Sequence, residues 1–135
     1  MRIGAGHQSP PIEHPSVAYR DERGGITDLV EHEPFDSASI ITSAAGSVRG
    51  NHYHNDTYQI IYVVSGTLRL VTQMPGGAIM DRLVNAGDLI RTPPAERHAF
   101  QAIADATMLV LTRGPRGGEG FESDTIRLSE PLIPR

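Results

Sequence analysis

The sequence predicts one all-β domain, a sandwich or barrel of short strands, and three observations predict it. Its 135 residues fall near the usual size of a single domain, with room for one core and none for a second catalytic domain. Seven short runs of ordinary strand length are separated by Gly, Pro, Asn and Asp. Polar and apolar residues alternate with period two where the pattern is clearest, and no stretch carries a convincing helical period.

Taken in order, residues 1–20 hold three of the ten prolines without sustained periodicity, so they read as an extended arm that lies along the barrel or a partner subunit. Asp21-Glu22-Arg23-Gly24-Gly25 is a turn signal that opens the barrel proper, taken as 21–113. Strands are expected at 38–45, 58–64, 67–73, 79–84, 88–92, 97–103 and 107–112. In 67–72, Leu68 and Leu70 share one face and Arg69 takes the other, as a sheet with one covered side requires. The run 58–64 is apolar on both faces apart from Gln59 and the tyrosine hydroxyls, which suggests burial on both sides, with an amide that must find a partner. Residues 114–135, rich in Gly and Pro, read as an extended tail with one short extended piece at 124–128 and no packed core of its own.

Composition narrows the chemistry. With 12 basic against 16 acidic residues the net charge is −4, which argues against nucleic-acid binding by phosphate neutralisation and against a membrane-surface role. No charged start leads into an apolar stretch and no apolar run approaches about 18 residues, so neither a signal peptide nor a membrane span is expected and the chain reads as cytoplasmic. There is no Cys, Trp or Lys, and all twelve basic residues are Arg. Disulfides, thiolate nucleophiles and Schiff-base lysines are therefore excluded together. Chemistry must fall on His, Asp, Glu, Tyr, Arg or a bound metal.

Three of the six histidines stand out. His52 and His54, one residue apart, project from the same face of a strand, with Tyr53 opposite as a packing residue. His98 begins another strand, and Gln59 lies between in sequence. Three neutral imidazoles plus an amide oxygen would suit a divalent Zn, Fe, Ni, Cu or Mn ion with positions left open for substrate. Phe100 shares a face with His98, and Ile61 and Val63 with Gln59, so these three are expected to wall a cavity. His7, His14 and His32 have no spacing partner and read as solvated, and Arg69, Arg91 and Arg97 read as ordinary exposed strand cations.

These residues stand in a wider pattern. Gly46, His52, His54, Gln59 and Gly66 are spaced as in the first motif of the cupin superfamily, with glutamine where the family has glutamate. Gly87, Pro93 and His98 are spaced as in the second motif, with Ala95 and Ala102 replacing its glycine and asparagine. The resemblance implies a single-domain jelly-roll β-barrel carrying His52, His54 and His98 inside. Gln59 then either ligates a metal directly or hydrogen-bonds a neighbouring imidazole. A neutral amide in place of carboxylate would lower metal affinity and raise Lewis acidity.

A second resemblance is more local. Arg49-Gly50-Asn51-His52 resembles the Arg-Gly-x-His signature of the sugar-nucleotide epimerases and ketoisomerases that share the barrel, and the turn at Asp21–Gly25 resembles their early Asp-x-Arg-Gly. That resemblance implies a metal-independent reaction with His52 as general base. Arg49 would bind an anionic part of the substrate, and His54, Tyr58 or Tyr62 would return the proton. Three functions are carried forward: a metal-dependent cupin enzyme acting on a small polar or anionic molecule, a metal-independent sugar-nucleotide isomerase or epimerase, and a non-catalytic small-ligand binder. A homodimer is expected, with the proline-rich arm or an edge strand pairing with the neighbouring subunit.

Overall fold

The computed structural model describes residues 8–115 and 118–135, so His7 lies outside the described residues. The chain forms β1 (Val17–Asp21), β2 (Gly24–Thr27), β3 (Ser37–Ser43), β4 (Val48–His54), β5 (Tyr58–Ser65) and β6 (Thr67–Gln73). There follow β7 (Met80–Asn85), β8 (Leu89–Thr92), β9 (Arg97–Ala102), β10 (Ala106–Arg113), a short helix α1 (Gly118–Asp124) and β11 (Thr125–Arg127). All pairing is antiparallel. One sheet has the order β3-β10-β5-β8, the other β11-β4-β9-β6-β7, and β1-β2 is a separate hairpin. From β3 on, the chain changes sheet at every connection except the β6–β7 hairpin, which is the jelly-roll route. It brings β4 and β9 side by side in one sheet although far apart in sequence, and sets β5 in the other.

The core lies between the sheets. Ile61 and Val63 of β5 and Met108 and Val110 of β10 meet Leu68 and Leu70 of β6 and Phe100 of β9, all buried. Period-two alternation is the cause: each of these strands turns every second side chain inward. Full burial of such a side chain is worth roughly 1.5–3 kcal/mol. A smaller cluster of Val71, Ala99 and Ile133 lies on the other side of the β6/β9 sheet, covered by the C-terminal run.

The structure departs from the sequence reading in four places. Val17–Arg20 belongs to a β-hairpin, and Glu13 bridges to Leu89 at the edge of β8, so residues 8–20 hold more regular structure than an extended arm. The strand that carries His52 and His54 is not among the seven expected runs, because Gly50 and Asn51 interrupt its β-type composition. The tail contains α1 and packs Ile133 into a core cluster. Finally, β5 is covered on both faces only at Ile60 and Ile61, and its end emerges at Val64.

Candidate functional site

The site is built on a β-bulge. Gly50 pairs with Ala99 and His52 with His98, so two steps on β4 match one on β9 and Asn51 is the extra residue. Asn51 sits at φ 60 and Gly50 at φ 90, conformations that Asn and Gly tolerate best. At Gly50 a Cβ would fall 2.8 Å from the His98 carbonyl oxygen, so the close approach of β4 to β9 needs glycine there. The Asn51 side chain clamps the tail: its Nδ2 donates to the Ile133 carbonyl at 2.9 Å, and the Ile133 amide donates to its Oδ1 at 3.0 Å. One inserted residue thus sets His52 directly across from His98 and anchors the C-terminal run.

The three imidazoles converge. Ring centroids of His52 lie 4.8 Å from those of His54 and His98, and the latter two are 5.5 Å apart. One ring nitrogen from each falls within 4.8 Å of the others. His98 Nδ1 donates to the Glu96 carbonyl at 3.1 Å, which leaves the lone pair on Nε2. The Thr125 hydroxyl donates to the Phe121 carbonyl at 2.7 Å, so His54 Nδ1, 3.2 Å away, is the donor to Thr125 Oγ1. His52 Nδ1 is buried without a hydrogen bond. Burial pushes His52 down to about 4, with added repulsion from His54, Arg127 and Arg135. Burial pushes His98 down to about 3, with His52 and His54 adding to it. Both are neutral near pH 7. Three converging imidazoles, two of them held through Nδ1, fit a divalent transition cation with open positions.

Around them is a cavity of about 260 Å³. Ile41, Ile61, Met108, Val110, Phe100 and Phe121 make it largely apolar, and Arg49 and Gln59 join the histidines as polar groups. Gln59 reaches it from the facing sheet, and its Nε2 donates to Thr112 Oγ1 at 3.1 Å, leaving Oε1 as the remaining acceptor. Arg49 spends Nε on Ser43 Oγ at 2.9 Å and Nη2 on the Thr42 carbonyl at 2.8 Å.

The structure brings together His52, His54, His98, Gln59, Arg49, Ile61 and Phe100. It does not bring in Val63, which is sealed in the core below the cavity. Nor does it bring in Tyr58: that side chain takes the other face of β5, where its hydroxyl accepts from Arg91 Nη1 at 2.7 Å and Arg113 stacks on its ring. Arg91 also holds Glu13 and Glu33, Arg69 holds Asp81, and Arg97 lies over Tyr53, so these cations are engaged away from the cavity. His14 is exposed but bonds Asp88 at 2.8 Å, and His32 is exposed at φ 57. Sequence reasoning missed Phe121, Thr125 and the β3 and β10 wall. The alternation of 107–112 could have flagged Met108 and Val110, whereas nothing local marks Phe121.

A further buried carboxylate belongs to the residue whose carbonyl orients His98. Glu96 is about 1% exposed, and both its oxygens lack a hydrogen bond because the neighbouring Ser9 hydroxyl donates to Thr72 at 2.6 Å instead. Burial pushes Glu96 up to about 7, against the opposing attraction of the Arg82 charge.

Residues 39–112 match the cupin domain family. The chain is a cupin. No curated protein matches it. Among solved structures, this cupin is similar to a sugar 3,4-ketoisomerase from Thermoanaerobacterium thermosaccharolyticum in complex with TDP, at 16% identity and TM-score 0.73, covering 94% of this chain and 91% of that one. It is similar to a 3,4-ketoisomerase from Helicobacter canadensis at 19% identity and TM-score 0.71, covering 87% and 89%. A dTDP-4-dehydrorhamnose 3,5-epimerase from Sulfolobus tokodaii matches at 19% identity and TM-score 0.67, covering 84% and 78%. At such identities the likeness establishes the shared jelly-roll fold.

Proposed function

We propose that this cupin is an isomerase or epimerase of a keto sugar nucleotide, with His52 as the general base that takes a proton from a carbon next to the ketone. The observation that carries the reading is the position of His52: a neutral imidazole on the bulge, facing a largely apolar cavity that it shares with Arg49. The Arg49-Gly50-Asn51-His52 signature and the relatives that act on TDP-linked sugars support it. Proton removal sends the C–H electron pair into a new C=C bond, and the ketone becomes an enol or enolate. Return of the proton at the same carbon from the opposite side epimerises; where that carbon bears a hydroxyl, return at the former carbonyl carbon, with the hydroxyl proton passing to the former ketone oxygen, moves the ketone. Neither outcome has net redox change. His54 is the second acid–base group of the cavity, and the apolar wall excludes water from the intermediate.

A second reading keeps the metal. His52, His54 and His98, with Gln59 Oε1 as fourth donor, would hold a divalent cation, which would supply Lewis acidity toward the ketone oxygen. Metal content of untagged protein, with and without His98→Ala, separates the two. Stoichiometric metal that the substitution removes favours the second reading, while exchange of solvent deuterium into a TDP-linked 4-keto sugar by metal-free protein favours the first. A non-catalytic binder would be stabilised by ligand without turnover.

We also propose a homodimer. The β1–β2 hairpin exposes Val17, Tyr19 and Ile26, and β3 is a sheet edge with Ile40 exposed. A partner hairpin laid along that edge would cover both. A monomer by sedimentation at micromolar concentration would contradict it.

A further inference from the structure

We infer that the groove beside the histidine cavity, walled by Arg127 and Arg135, binds a phosphate oxyanion. The groove has a volume of about 600 Å³ and is lined by Gly50, Asn51, Arg127, Leu128, Pro131 and Arg135. Among the described residues no acidic side chain lines it. Gly50 lines both this groove and the histidine cavity.

Both arginines are placed by ordered backbone. The pairing of β11 with β4 sets Arg127 opposite His52. The Leu128 amide donates to the Asn51 carbonyl at 2.9 Å, and the paired bonds between Asn51 and Ile133 fold the C-terminal run back along the same strand. Ile133 is buried against Val71 and Ala99, which fixes the run two residues short of Arg135. Their charges are also uncommitted. Arg23, Arg69 and Arg91 are each neutralised by a carboxylate, whereas no ion pair or hydrogen bond of the Arg127 or Arg135 guanidinium group is present among the described residues. Two unpaired guanidinium groups at one groove, in a chain of net charge −4, match the planar two-point recognition of phosphate oxygens. Arg49 is less suited to that task, since its Nε and one amino group already serve Ser43 and Thr42.

Assigning the oxyanion to the substrate's own diphosphate rests on the sugar-nucleotide reading; a free phosphate would use the same chemistry. Calorimetric titration with pyrophosphate and with TDP tests both. Wild-type protein is expected to bind pyrophosphate with an affinity that falls as salt rises. The pair R127Q/R135Q should weaken it at least tenfold, and R127K/R135K should recover part of the loss. If TDP displaces pyrophosphate, the groove takes the substrate's diphosphate. If both bind together, it takes a separate phosphate, and either result supports the site. Pyrophosphate binding equal in wild type and R127Q/R135Q, or absent in wild type, would overturn it. Failure of the isomerase reading looks different: no deuterium exchange into a keto sugar nucleotide, while pyrophosphate affinity still depends on the two arginines.

Discussion

Asn51 holds a left-handed backbone conformation and two hydrogen bonds to Ile133, so one side chain supports both the bulge and the tail. Asn51→Ala should lose about 1 kcal/mol per hydrogen bond and about 1 kcal/mol more for alanine at positive φ. A stability loss of roughly 2–3 kcal/mol is expected in urea unfolding. The titrating residues give predictions of opposite sign. His52 and His98 are held near 4 and 3 in the folded chain, against about 6.5 when unfolded. As pH falls from about 6.5 toward 4, the unfolded chain binds protons that the folded one refuses, and stability drops. Glu96 runs the other way. With its folded value near 7, it favours folding below its ordinary value of 4.5, and that contribution is lost as pH rises from 4.5 through 7. Glu96→Gln should remove that loss and gain about 2 kcal/mol relative to wild type at pH 8 compared with pH 5. Equal pH dependence in the two proteins would contradict the burial argument. For catalysis, the acid limb of kcat/KM should lie well below 6.5, since His52 stays neutral to about 4.

Elements decided how legible the sequence was. The alternation of Leu68, Arg69 and Leu70 reads directly as a strand because one face meets the core and the other meets solvent. β4 does not read so, since a bulge needs residues of poor β propensity at Gly50 and Asn51. The histidine spacing still identified its face, because His52 and His54 lie beyond the inserted residue and keep the period of two. α1 was illegible for a different reason. Gly118–Asp124 is too short to stand alone, and what holds its end is tertiary: the buried Asp124 carboxylate accepts from the Asp56 amide at 2.8 Å, the Thr57 amide at 3.0 Å and the Thr57 hydroxyl. Burial would raise Asp124, but these bonds outweigh it and hold the carboxyl below its usual value. That contact delivers Phe121 and Thr125 to the site, and Thr125 orients His54. Asp124→Asn should therefore cost stability of about 1–3 kcal/mol and loosen the cavity wall, seen as faster hydrogen exchange in α1 and β11 with β6 unchanged.

At the scale of the molecule, the jelly-roll route explains why a site scattered between Arg49 and Phe121 is compact. Changing sheet at nearly every connection sets β4 beside β9 and faces both with β5. The same route leaves the β1–β2 hairpin exposed, and the dimer proposed above gives it a role. Among the described residues no helix is long and apolar enough to cross a membrane. Absence of Cys and Lys leaves imidazole, amide and guanidinium as the functional groups of the cavity, and these suit both proton transfer and a cation. The central claim is that His52 moves a proton next to a ketone. Incubation with a 4-keto sugar nucleotide in deuterated water, followed by NMR, tests it most directly. The account predicts deuterium at a carbon adjacent to the carbonyl with wild-type and chelator-treated protein, and a loss of at least a hundredfold in rate with His52→Asn, on the order expected for removal of a general base. Exchange that His52→Asn leaves intact, or no exchange by a folded protein across a panel of such sugars, would contradict it.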